Sequence, residues 1–183
     1  TNNSNIDTVP PKQLKPNVSY GFEKLPTQKD VVLKNGTIWT NEKSGVLNRA
    51  DLAFSNGKIV FVGKNIILSD VFSDTTSVQI IDATEKHITS GIIDEHSHIA
   101  ISRGVNESSQ AVTAEVSIGD VINSNDVNIY RQLAGGVTAA QLLHGSANPI
   151  GGQSALVKMR WGNLAEEMKI KSDVGFIKFA LGE

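Results

Sequence analysis

The chain has 183 residues, a formal net charge of −2 and a pI near 6.1, a balance that argues against nucleic-acid partners and polybasic membrane binding. No apolar run approaches the ~18 residues of a membrane span. Cysteine is absent, which excludes disulfides and thiolate ligands and leaves His, carboxylate or modified lysine to hold any metal.

Residues 1–29 read as a polar tail or linker. Thr1–Asn5 is polar, and Pro10, Pro11, Pro16 and Pro26 interrupt any regular element. The chain begins at Thr1 rather than Met, so the expectation is that an initial segment has been removed. Such a tail fits a mature N-terminus after export or a linker from a preceding domain. The sequence leaves the compartment unknown, with an exported (periplasmic or secreted) protein slightly favoured.

Residues 30–90 read as a β-rich segment, with strands concentrated in 30–82. Val31–Leu33 and Thr37–Thr40 flank Lys34-Asn35-Gly36, while Asp51–Phe54 and Lys58–Gly63 flank Ser55-Asn56-Gly57. Asn-Gly between apolar runs predicts a hairpin turn, since both positions tolerate positive φ. Val78–Asp82 predicts a further strand. Short strands with tight turns suggest a small sheet or sandwich.

The rhythm changes at residue 91. Gly91–His96 predicts a short apolar strand. Asp126–Ala134 predicts a helix capped by Asp126 and stopped by Gly135-Gly136. Val137–Leu143 predicts a second buried strand, ending at His144. Gly145–Gln153 reads as a glycine-rich loop, Ser154–Trp161 as a third strand, Leu164–Met168 as a short helix and Phe176–Ala180 as a last strand. Strand, helix, strand in this order suggests βα units of a parallel sheet or barrel.

The chemistry concentrates in Gly91-Ile92-Ile93-Asp94-Glu95-His96-Ser97-His98. Side chains two apart on a strand share a face, so His96 and His98 would offer two imidazoles to one point, as a metal ion requires. The plain alternative is two histidines on a polar strand face. Asp94 shares the face of His96 and is a candidate orienting carboxylate. His144, at a strand end, could contact substrate, support a ligand through a hydrogen bond, or cap a loop. His87 should be exposed. Asn148–Gly152 could contact backbone-like groups of a substrate, and it lacks the Lys-Ser/Thr of a phosphate loop.

Five segments, "KNGTIWT", "SNGKIVFVGKN", "IIDATEKHITSGIIDEHSH", "GVTAAQLLHG" and "FIKFALGE", stand in one order. In that order the chain resembles the metal-dependent amidohydrolase superfamily over residues 30–183. It looks closest to the branch with imidazolonepropionase-like and prolidase-like enzymes. Ser90-Gly91 stands where the family usually has Pro-Gly, a departure that touches a turn and not the ligands. The resemblance implies an α/β fold: an N-terminal β-sandwich segment over 30–90, then over 91–183 the first strands of an incomplete (β/α)₈ TIM-like barrel. In barrel enzymes the site lies at the carboxyl ends of the strands. The resemblance implies His96 and His98 as metal ligands. It makes Lys178 the candidate for a carboxylated lysine bridging two metals. A charged lysine among apolar neighbours is costly, and carboxylation would remove that charge. Alternatively Lys178 snorkels from a strand end or pairs with Glu183. The implied cofactor is a divalent metal, zinc first, as one or two ions. The implied reaction is attack of metal-activated water on a C–N bond of an amide, cyclic amide or peptide-like substrate.

The family's other metal histidines and its catalytic aspartate lie on later strands, so the catalytic residue is unknown. A full barrel needs about 250 residues. An incomplete one exposes strand edges. The chain is therefore expected to self-associate or to pair with a missing C-terminal segment, and to be inactive alone. The competing reading is a non-catalytic β-rich interaction module with a vestigial His pair. Metal content separates the two.

Overall fold

A computed structural model describes residues 27–181; nearly all of the tail expected over 1–29 lies outside the described residues. The chain divides into two compact units, with the boundary between Ser90 and Gly91. The molecule is a mixed α/β protein consisting mostly of sheet.

The first unit is built on β1 (Val31–Trp39), β2 (Val46–Ser55), β3 (Lys58–Gly63), a single-turn helix α1 (Leu68–Val71), β4 (Gln79–Asp82) and β5 (His87–Ile88). The strands form one sheet in the order β3-β2-β1-β4, with β5 also on β1. β1, β2 and β3 are antiparallel, whereas β4 and β5 lie parallel to β1. Asn56-Gly57 makes the expected two-residue turn, with both residues at positive φ between paired Ser55 and Lys58. Asn35-Gly36 does not. β1 runs straight through it, and the pair forms a bulge where the register against β2 shifts. The reason lies sixteen residues away: the buried Asp51 carboxylate accepts the Asn35 N–H at 3.0 Å, satisfying the donor that the bulge removes from the ladder. The turn from β1 to β2 falls instead at 40–45, closed by Thr40 N–H on the Gly45 carbonyl. Neighbours Leu52 and Ala53 belong to different apolar clusters. Successive strand residues face opposite ways, so each face of the sheet carries one cluster.

The second unit contains β6 (Ile92–Ser97), a 3₁₀ turn (Ile118–Val121), α2 (Val127–Ala134), β7 (Val137–Leu142), β8 (Ile150–Gln153), β9 (Ala155–Lys158), α3 (Ala165–Met168) and β10 (Ile177–Phe179). β6, α2 and β7 form a strand–helix–strand unit with parallel strands. Asp126 caps α2 by accepting the Asn128 N–H, and Gly135 and Gly136 end it. Ile129 on α2 is fully buried against Ala140, Leu142, Val157 and Met168.

Two features depart from the sequence reading. β9 returns antiparallel to β7. The glycine-rich stretch is not all loop, because Ile150–Gln153 is a strand paired with β10. Gly151 and Gly152 look like loop residues in sequence because they carry no side chain. The fold uses that absence to seat the His144 ring: a Cβ on Gly151 would lie 2.5 Å from His144 Nδ1. β6 is an edge of the β6-β7-β9 sheet, which leaves Ile92 and Ile93 57% and 70% exposed. Among the described residues no helix is long and apolar enough to cross a membrane.

Candidate metal centre

β6 carries the His-x-His segment to its carboxyl end. Ser97 turns into the protein, which leaves His96 and His98 exposed on the same side. Their Nε2 atoms are 3.2 Å apart, and the rings meet edge to face. Three backbone ties hold the segment. The Asp94 carboxylate accepts the His96 N–H at 3.2 Å. Ser97 O accepts the Leu143 N–H at 3.0 Å. Just beyond, the second carboxylate oxygen of Asp126 accepts the Ala100 N–H at 2.7 Å, so the cap of α2 also fixes the chain leaving His98.

His98 Nδ1 lies 2.9 Å from the Leu143 carbonyl. A carbonyl only accepts, so Nδ1 carries a proton, and in the neutral ring Nε2 then keeps its lone pair. That is the state a metal ligand needs. Zn–N bonds of about 2.0–2.1 Å at a tetrahedral angle place two ligand nitrogens about 3.3 Å apart, so the observed separation fits one ion. Lys178 Nζ, on β10, stands 3.5 Å from His96 Nε2. Among the described residues no group of three His, Cys, Asp or Glu converges; the third group beside the rings is this lysine.

Asp94 meets the main chain of His96 and not, in any hydrogen bond, its ring. His144 lies apart from the ring pair. It is 1% exposed, and both of its nitrogens are taken: Nε2 accepts the Glu107 N–H at 2.8 Å, and Nδ1 faces the Gly145 carbonyl at 3.0 Å. It lines a cavity of about 490 Å³ with Arg103, Asn106, Glu107, Glu115 and Asp120. His96, His98 and Lys178 are not on that wall. The Ser109 hydroxyl and then its N–H hold the Glu107 carboxyl below the ordinary range. The Asn148 amide nitrogen donates across to the 107–113 segment, to the carbonyls of Glu107 and Gln110 and to Thr113 Oγ1, while its Oδ1 is buried without a partner among the described residues. His87 is exposed and accepts the Trp39 indole N–H. The sequence reading missed the Leu143 carbonyl and the second bond of Asp126. A backbone acceptor leaves no side-chain signal, though a capping Asp with a free oxygen was in view.

No protein-family model matches the chain. The amidohydrolase tasK of Hapsidospora irregularis is 32% identical over 151 residues, spanning 71% of this chain and 15% of that protein. The crystal structure of an amidohydrolase from Thermotoga maritima MSB8 superposes with a TM-score of 0.67 at 36% identity, covering 84% of this chain and 39% of that one. A triazine hydrolase variant aligns over 39% of this chain and 15% of its own at 26% identity, with a TM-score of 0.33. Together with the mixed α/β fold and the paired strand-end histidines, these amidohydrolase relatives support the metal-dependent amidohydrolase superfamily for this chain. The chain spans less than half the length of either amidohydrolase relative.

Proposed function

We propose that the chain supplies the first ligands of an enzyme that hydrolyses a C–N bond in an amide, cyclic amide or peptide-like substrate. The observation that carries this reading is the convergence of His96 Nε2, His98 Nε2 and Lys178 Nζ from two separate strands. A divalent ion bound there, zinc first and one or two per site, would polarise the substrate carbonyl and make water acidic enough to attack. His96 and His98 would hold it. As a neutral ring donating its Nδ1–H to Leu143 O, His98 would keep the Nε2 lone pair available. Asp94 holds the His96 main chain in place. Lys178 would join as a carboxylated side chain, since an ammonium would repel a cation. The architecture assigned with this function is a β-sandwich segment over 30–90 and the first strands of an incomplete (β/α)₈ barrel over 91–183. The parallel β6-α2-β7 unit with its rings at the carboxyl end of β6 supports that assignment.

The general base is assigned to no residue of this chain. The 183 residues alone should therefore be inactive and should pair with a copy of themselves or with a further segment. The test is a Co²⁺ titration of the 183-residue chain followed by visible absorption. The expected result is weak binding that disappears when His96→Ala and His98→Ala are combined. Absent binding, or binding that survives both substitutions, would sink the metal reading and leave the non-catalytic interaction module.

A further inference from the structure

The carbonyl that fixes His98 belongs to the peptide group joining Leu143 to His144. Its direction is therefore set by the plane of that peptide, since the bond is rigid. His144 is the residue on the far side of the plane, and it is locked three ways. Its Nε2 accepts the Glu107 N–H, its Nδ1 donates to the Gly145 carbonyl, and its ring lies where Gly151 and Gly152 leave room. On the near side, the Leu143 N–H is bonded to Ser97 O, between the two ring-bearing residues.

We propose that His144 is a positioning residue for His98: its buried ring fixes the Leu143–His144 peptide, which holds His98 as the Nδ1–H tautomer with Nε2 directed at His96. The proposal rests on the metal reading for its purpose, though not for its test. His144 needs no free nitrogen for this role, which accounts for a fully buried histidine next in sequence to Leu143 with both nitrogens committed to backbone. It also accounts for Gly151, where a methyl group would strike the ring.

The experiment follows imidazole ¹⁵N shifts in the metal-free 183-residue chain and Co²⁺ affinity in parallel. Three variants are compared: His144→Ala, Gly151→Ala, which displaces the ring without removing it, and His144→Gln, whose amide oxygen can accept the Glu107 N–H. In the unsubstituted chain His98 should be a single Nδ1–H tautomer. His144→Ala and Gly151→Ala should turn it into a tautomer mixture and weaken Co²⁺ about tenfold, the scale on which groups that orient a ligand act. His144→Gln should recover at least half of the loss. Unchanged His98 shifts in both of the first two variants, or no recovery with glutamine, would overturn the proposal. If the unsubstituted chain binds no Co²⁺, the metal reading fails, while the metal-free tautomer of His98 still decides the role of His144.

Discussion

Lys178 Nζ stands 3.5 Å from His96 Nε2, although 82 residues separate the two in the chain. The pairing of β10 with β8 brings the lysine there. If it becomes a ligand by carboxylation, Lys178→Met should lower Co²⁺ affinity at least about tenfold. Added ¹³C-bicarbonate should give a carbamate signal in the metal-loaded chain and none in the variant. Affinity indifferent to both Lys178 and bicarbonate would place the lysine outside the centre.

Asp51 is 3% exposed and accepts two backbone donors, Asn35 N–H at the β1 bulge and Ile66 N–H, each at 3.0 Å. Asp51→Ala leaves both without that acceptor. At about 1–3 kcal/mol for each of two buried donors without a partner, the first unit should lose about 2–6 kcal/mol, read by urea denaturation followed through Trp39 fluorescence in a Trp161→Phe background. A loss below 1 kcal/mol would show that water replaces the carboxylate freely.

Gly91 stands where a side chain would collide with Thr138: its Cβ would lie 2.1 Å from the threonine Oγ1. Gly91→Ala should therefore destabilise the β6-β7 pair by about 1–3 kcal/mol. Adding Thr138→Gly should restore part of that loss, and a double-mutant cycle measures the coupling. Strictly additive effects would mean that the two residues do not compete for space.

The Glu107 carboxyl is held below its ordinary range, first by the Ser109 hydroxyl and then by the Ser109 N–H. A carboxyl depressed in the folded state contributes stability that is complete above its unfolded pKa. That contribution fades as pH falls through the lower folded value, so the window lies below about pH 4. An NMR titration should place the Glu107 midpoint below that of an exposed glutamate, and Ser109→Ala should raise it. No response to Ser109→Ala would assign the shift to another cause.

The elements that were legible in sequence are those whose signals are local. Asp126 and Gly135-Gly136 bracket α2 within ten residues, and the His-x-His periodicity follows from strand geometry alone. What escaped depends on distant partners. Asn35-Gly36 reads as a turn until Asp51 supplies the acceptor that makes it a bulge. Ile150–Gln153 reads as loop because its glycines hide a strand that exists to meet β10 and to seat a ring. The spacing placed His96 and His98 on one side, but the proton on His98 is set by the Leu143 carbonyl, 45 positions away, and no residue type announces a carbonyl.

The same separations set an order of events during synthesis. The rings of 96 and 98 leave the ribosome first, the peptide that orients one of them follows 45 residues later, and the amine beside the other comes 82 residues after His96. Closing loops of this length carries an entropy penalty that is recovered only when the β-pairings form. If the metal reading holds, the site is arranged only after those pairings form, so an ion between the rings would follow folding and not nucleate it. Metal supplied during translation should give no faster acquisition of structure than metal supplied afterwards, and the nascent chain should pass through a long interval with two adjacent, unarranged imidazoles open to any divalent cation in the compartment.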